Sequence, residues 1–185
     1  MQRAPEPYDY SRRTGVEEVD WERFGALAAA LTELLAGHRP DMVVGIARAG
    51  LIPAAAVAAA SRLDLTPVRV SRREADVVVR AHLEWKVDVS ADVRGRVVAV
   101  VDELADTGET LALVAERCRE AGAARVVTAA LVAHSWADPF PDAVALVSDA
   151  LVVFPWDRRV FSEGRWMLHP ELVDALGAQG VEPEP

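Results

Sequence analysis

The 185-residue chain has a single cysteine, which excludes an internal disulfide framework; Cys118 falls within a helical pattern and reads as a core residue. Long hydrophobic runs are missing. The apolar stretches are short and broken by charge, well below the roughly 20 residues that cross a bilayer, so no membrane partner is expected. The N-terminal stretch MQRAPEPYDYSRR lacks an apolar signal core, which predicts a cytoplasmic location. A cationic stripe is absent as well. Twenty Lys and Arg stand against 29 Asp and Glu, a net charge of -9, and this argues against a broad nucleic-acid surface. His38, His82 and His169 have no companions at metal-ligand spacing, against a zinc site. No Gly-x-Ser-x-Gly elbow and no Cys–His pairing is visible. The acidic balance still admits a small anionic substrate, because an acidic site can recruit a metal that then meets a phosphate.

Half of the residues, 51%, are apolar, enough for one domain spanning 1–185. Residues 1–15 are polar and contain proline, the composition of an arm. Asp20 precedes a helical pattern in WERFGALAAALTELLAG, with Phe24, Leu27, Leu31, Leu34 and Leu35 on one stripe and Gly37 and Pro40 as stop signals. MVVGIA reads as a buried strand, LIPAAAVAAASRL as a helix that tolerates Pro53 in its first turn, and TPVRVS as a strand. Residues 72–96 contain strand-like pieces, with Val77, Val79, Ala81, Leu83 and Trp85 on one face, between turns at READ and SADVRG. A strand at Val97–Val101, a helix closed by Gly122 and a strand in RVVTAALVAH follow. AVALVS and LVVFPW are short strand candidates, and Pro170 opens a last small helix. This alternation predicts an α/β fold with a mostly parallel sheet and helices on both faces.

The segment VVAVVDELADTGETL, Val97–Leu111, concentrates the chemistry. In parallel sheets, ligands bind beyond the carboxyl ends of the strands. Here a buried strand runs into Asp102 and Glu103, and the next helix is entered through Asp106, Thr107, Gly108, Glu109 and Thr110. Exposed N–H groups at a helix start favour phosphate, Gly108 permits close backbone approach, and two threonine hydroxyls add donors. A phosphate cradle a few residues from paired carboxylates suits a ribose 5-phosphate, whose hydroxyls the acids can hold.

This apolar run, acid pair and Asp-Thr-Gly-x-Thr loop resembles the phosphoribosyl pyrophosphate (PRPP) signature of type I phosphoribosyltransferases, and within them the xanthine-guanine and hypoxanthine subgroup. The resemblance runs from Trp21 to Asp157. It implies a type I phosphoribosyltransferase-like fold, a central mostly parallel sheet flanked by helices, with a small hood and C-terminal extension over residues 134–185. It implies an enzyme of nucleotide metabolism that transfers the phosphoribosyl group from Mg-PRPP to a nitrogenous base and releases pyrophosphate, with Mg2+ as cofactor and a dimer or tetramer as the assembly. Asp102 and Glu103 would then hold the ribose and, through substrate or water, the metal. Asp106 would act as general base or acid, and Asp106, Thr107, Gly108, Glu109 and Thr110 would bind the 5'-phosphate.

Val43–Ala58 resembles the family's pyrophosphate loop, with Arg48, Ala49 and Gly50 as its candidates. Ala49 departs from the usual glycine in a loop that often carries a non-proline cis peptide. Val68–Asp76 resembles the strand and start of a mobile lid, with Ser71 and Arg72 as lid residues. Val152–Asp157 resembles the end of the base-binding hood, and gives Asp157 a water-mediated role toward a second magnesium.

Two departures concern the base. The 6-oxopurine enzymes place a Lys where this chain has His134, and an aromatic near Leu151. Base-binding candidates are therefore His134, Leu151 and Val152, with Trp136 or Trp156 as alternative stacking faces. The same drift suits a second reading, a non-catalytic regulator that senses PRPP or a nucleotide. A third is a biosynthetic transferase or hydrolase with an unusual acceptor.

Overall fold

The computed structural model describes residues 12–71, 73–74, 77–78 and 84–182, with side-chain surroundings given for 12–70 and 85–182. In chain order the elements are β1 (Val16–Glu18), α1 (Trp21–Ala36), β2 (Met42–Ile46), α2 (Leu51–Ser61), β3 (Asp64–Ser71), β4 (Arg73–Glu74), β5 (Val77–Val78) and β6 (Glu84–Val87). They continue with β7 (Val97–Ala105), α3 (Glu109–Glu120), β8 (Arg125–Ala133), β9 (Ala143–Val147), β10 (Leu151–Val153), β11 (Arg159–Ser162), β12 (Arg165–Leu168) and α4 (Pro170–Ala178). The described residues fall into two compact units, 27–147 and 12–26 with 148–182.

The larger unit is built on a six-stranded sheet ordered β6-β3-β2-β7-β8-β9. All neighbours are parallel except the edge pair β3 and β6. Every residue of β2 is buried, as a parallel strand covered on both faces requires. Met42, Val44, Val98 and Val100 pack with Leu111, Val114 and Cys118 of α3 in one core. Burial pushes the Cys118 thiol up to about 11, so it is protonated at neutral pH and serves as packing. α1 starts where Asp20 Oδ1 accepts the Arg23 N–H at 2.7 Å, an N-cap. It buries Ala28, Leu31 and Leu35, while Leu34, expected on the buried stripe, is exposed.

The chain between β3 and β7 differs in part from the sequence reading. Arg73 and Glu74, read as a turn, pair antiparallel with Val78 and Val77. Val79, Ala81 and Leu83, expected on one strand face, lie outside the described residues. SADVRG contains a 3-10 turn at Ala91–Val93, capped by the Ser90 side chain.

The smaller unit contains β1 and the β11–β12 hairpin, which sequence patterning did not reveal, beside β10 and α4, which it did. β1 pairs in parallel with β10, Val16 opposite Leu151 and Glu18 opposite Val153. Leu151 and Val153 face α4, packing with Ala175 and Leu176, and Val152 alternates to the other side of the strand. β11 and β12 form a hairpin around Glu163 and Gly164, whose φ values are 51° and 76°, the positive pair of a two-residue hairpin loop. His169 caps α4, its Nδ1 accepting the Glu171 N–H at 3.2 Å. Beside α4 lies a cavity of about 360 Å3, lined by apolar residues such as Val16, Val153 and Leu176 and by Glu18 and Arg158. None of the sequence-predicted site residues lines it.

Candidate active site

The strand carrying the acids is longer than the hydrophobic run that announces it. β7 continues through Asp102 and Glu103 to Ala105 because β8 runs alongside to Ala133, pairing Asp102 with Ala130 and Ala105 with Ala133. The acids therefore lie inside the second half of the strand rather than past its end. Neighbouring strand residues point to opposite faces, so Asp102 and Glu103 diverge. Each is half-buried.

Asp102 faces the loop after β2. Gly45 pairs with Val101, which brings the loop Ala47–Gly50 alongside Asp102. A side chain at position 50 would collide with Asp102 Oδ1 and the Ile46 carbonyl, so glycine is the residue this contact admits. Arg48 is exposed, and the Ala47–Arg48 peptide bond is cis. Asp102 Oδ1 also accepts the Glu103 N–H at 2.9 Å. Burial dominates over that bond and pushes the Asp102 carboxyl up to about 7. This cluster generates a prediction. Gly50→Ala should cost about 1–3 kcal/mol of stability, the usual scale for overpacking. Its anion affinity should fall as Asp102 and the loop are forced apart, measured by denaturant unfolding and by titration with PRPP. An equally stable variant with unchanged affinity would show that the loop and Asp102 do not act together.

The cradle itself runs from Asp106 into the first turn of α3. Thr107 and Glu109 are exposed, Thr110 is half-exposed and Gly108 is buried. Gly108 has φ +83°, and a Cβ there would strike the Pro139 carbonyl. The glycine is thus required by the chain's own β8–β9 loop, beyond any ligand approach. The Glu109 N–H leans toward Thr107 Oγ1 at 3.4 Å, and the start of α3 presents amide donors to an anion.

The β8–β9 loop packs directly on this segment. The Asp138 N–H donates to the Thr107 carbonyl at 2.9 Å, and the His134 N–H to the Ala105 carbonyl at 3.1 Å. His134, predicted to face a base, is 0% exposed; its Nε2 lies 3.8 Å from Asp106 Oδ1. Trp136 stacks on the His134 ring at 4.4 Å and donates its Nε1–H to Asp106 Oδ1 at 3.3 Å. The bond between Trp136 and Asp106 was not legible in the sequence; only the strand register, which sets both loops side by side, could have signalled it.

The remaining predicted residues divide by unit. Ser71 ends β3, and Arg72 lies outside the described residues. Leu151, Val152 and Asp157 belong to the smaller unit. There Trp156 stacks on Phe154 at 4.9 Å and meets Phe24 and Trp21 edge-on or tilted, so its ring is committed to packing. Among the described residues, no group of three or more His, Cys, Asp or Glu is arranged to hold a metal ion. No described helix is long and apolar enough to cross a membrane.

Residues 20–164, well over half the chain, match the phosphoribosyl transferase domain family. The chain belongs to that family. It is a phosphoribosyltransferase, a pentosyltransferase that uses PRPP. It is 33% identical over 144 residues to the xanthine-guanine phosphoribosyltransferase of Nitratidesulfovibrio vulgaris strain Hildenborough, covering 77% of this chain and 85% of that one. Among solved structures, it resembles the purine phosphoribosyltransferase of Pyrococcus horikoshii, with a TM-score of 0.69 and 27% identity over 77% of this chain and 94% of that one. A protein of Neisseria gonorrhoeae solved with bound ppGpp has a TM-score of 0.66 at 21% identity, covering 78% and 90% of the two chains. At that identity it speaks to the fold alone. The phosphoribosyltransferase therefore has its central parallel sheet and helices in common with these relatives.

Proposed function

We propose that this phosphoribosyltransferase moves the 5-phosphoribosyl group from Mg-PRPP to a ring nitrogen of a 6-oxopurine, releasing pyrophosphate. The observation that carries the reading is the convergence at the ends of β2 and β7, where Gly50 abuts the Asp102 carboxylate and the cradle opens into α3 three residues beyond Glu103. The names of the relatives above supply the purine. The regulatory reading is not favoured, since the relative at 33% identity bears a transferase name.

In this reading the amides and hydroxyls of Thr107–Thr110, with Asp106 opening the loop, hold the 5'-phosphate. Asp102 and Glu103 hold the ribose and tolerate the positive charge that grows at C1' as the bond to pyrophosphate breaks. Arg48, with the amides of Ala49 and Gly50, receives the departing pyrophosphate. Asp106 takes the proton from the base nitrogen as that nitrogen bonds to C1'. Ser71 and Arg72 are assigned to a lid that would exclude water, and Asp157 would hold metal through water. Mg2+ is commonly bound by one or two carboxylates together with substrate phosphates, and the half-buried Asp102 is a hard oxygen donor of that kind. Bound there, Mg2+ would stabilise charge on the leaving pyrophosphate. On the acceptor side, His134 is enclosed and Leu151 packs with Ala175 and Leu176.

Incubation with Mg-PRPP and guanine, xanthine, hypoxanthine or adenine tests this assignment. Pyrophosphate should be released with at least one 6-oxopurine and far more slowly with adenine. Release with adenine alone would overturn the 6-oxopurine assignment.

A further inference from the structure

We propose that His134 and Trp136 are positioning residues that aim the Asp106 carboxylate, a role that rests on the transferase reading above. Neither is expected to touch substrate in this role; both act through Asp106. Three features of the β8–β9 loop converge on the first residues of the cradle. The pairing of Ala105 with Ala133 sets Asp106 and His134 at matching positions beyond neighbouring strands, and the His134 N–H closes the ladder on the Ala105 carbonyl at 3.1 Å. Trp136 Nε1–H and His134 Nε2 then approach the same oxygen, Asp106 Oδ1, at 3.3 Å and 3.8 Å. One residue further, the Asp138 N–H holds the Thr107 carbonyl at 2.9 Å, while the Pro139 carbonyl fills the space beside Gly108.

The stack of imidazole on indole, inclined by 20°, makes the two rings one rigid block. His134 is enclosed, so the block cannot swing toward solvent, and the indole N–H is held where the carboxylate needs it. A carboxylate that must meet a base proton gains from such preorganisation, because misalignment by a fraction of an ångström is costly in rate. Catalytic hydrogen bonds that are long without ligand shorten in the reacting complex, which suits the 3.3 Å separation.

The test separates aiming from stacking on the base and from plain packing. Trp136→Phe keeps an aromatic face and removes the N–H. It should lower kcat about tenfold, equivalent to one lost charge-assisted hydrogen bond, with KM for the base and affinity for Mg-PRPP nearly unchanged. His134→Gln keeps a polar group of similar reach beside Asp106 and should retain most of kcat, whereas His134→Leu should lose it. Full kcat in Trp136→Phe, or a loss confined to KM for the base, would overturn the proposal. Equal behaviour of the Gln and Leu variants would overturn the part given to His134. A second readout needs no turnover. In the full chain labelled with 15N at tryptophan, Asp106→Asn should move the Trp136 indole N–H resonance upfield, and an unmoved resonance would show that the contact is absent. A moved resonance in a wild type that turns over no base would refute the transferase reading. An unmoved resonance in an active wild type would refute the proposal alone.

Discussion

Replacing Asp106 with Asn should lower kcat by roughly a hundredfold or more, the usual scale for general acid–base help, and should leave the affinity for Mg-PRPP almost unchanged. The two halves of this expectation come from different atoms. Asparagine keeps the shape of aspartate and can still accept the Trp136 N–H at Oδ1, so the loop between β7 and α3 keeps its course. In the proposed reading the phosphate is held by backbone donors and hydroxyls of Thr107–Thr110, which the substitution does not touch. What disappears is a carboxylate able to take a proton. Steady-state kinetics and calorimetric titration with Mg-PRPP measure the two halves separately. An undiminished kcat would remove Asp106 from the proton transfer, and a collapsed PRPP affinity would mean that its charge shapes the cradle.

Asp102→Asn should make the protein more stable at pH 8 and worse at binding PRPP. Burial raises the Asp102 carboxyl from its ordinary value of 3.8 to about 7. The folded chain therefore holds that proton more tightly than the unfolded chain does. The group costs nothing below about pH 4, its unfavourable effect grows as pH rises toward 7, and above 7 the effect is complete. Each tenfold in proton affinity is worth about 1.4 kcal/mol, and partial exposure of Asp102 reduces the total to about 1–2 kcal/mol. Asparagine is neutral throughout, so the variant should gain that stability at pH 8 and little at pH 4. Wild-type affinity for Mg-PRPP should rise between pH 6 and 8 as the carboxylate ionises, and the variant should lack that rise. Urea unfolding at the two pH values and titrations across the window test both statements. A variant less stable than wild type at pH 8 would show that Asp102 is held by favourable charge partners instead of being stranded by burial. Such a stability cost at the proposed ribose-binding carboxylate is the trade expected of a functional site.

These expectations draw on a fold that was legible in the sequence where local signals agree. Met42–Ile46, Leu51–Ser61 and Glu109–Glu120 were plain because an apolar run, a turn and a helical stripe succeed one another, and the Asp-Thr-Gly-x-Thr loop marks the start of α3. What escaped was set by distant partners. Val16–Glu18 is three residues long and becomes a strand only beside Leu151–Val153. The hairpin Arg159–Leu168 turns on Glu-Gly, a weaker turn signal than Asn-Gly or Asp-Gly. β7 outran its hydrophobic run because β8 offered it partners through Ala133. At the site, the sequence named candidate residues but not how they are enclosed. His134 has the chemistry to contact a base, yet its position beside Ala105 buries it against Asp106. Leu151 likewise turns toward α4 because Val152 takes the opposite face of a strand only three residues long.

The central claim is that this chain joins a 6-oxopurine nitrogen to C1' of PRPP, and the nucleotide product tests it most directly. Wild-type protein incubated with PRPP, Mg2+ and guanine or xanthine should yield the corresponding nucleoside 5'-monophosphate by mass spectrometry. Pyrophosphate should appear in equal amount, and neither product should form when EDTA is present or when Asp106 is replaced by Asn on the same timescale. Mg-PRPP that binds to wild-type protein and is recovered intact, with no nucleotide formed from any purine, would contradict the account.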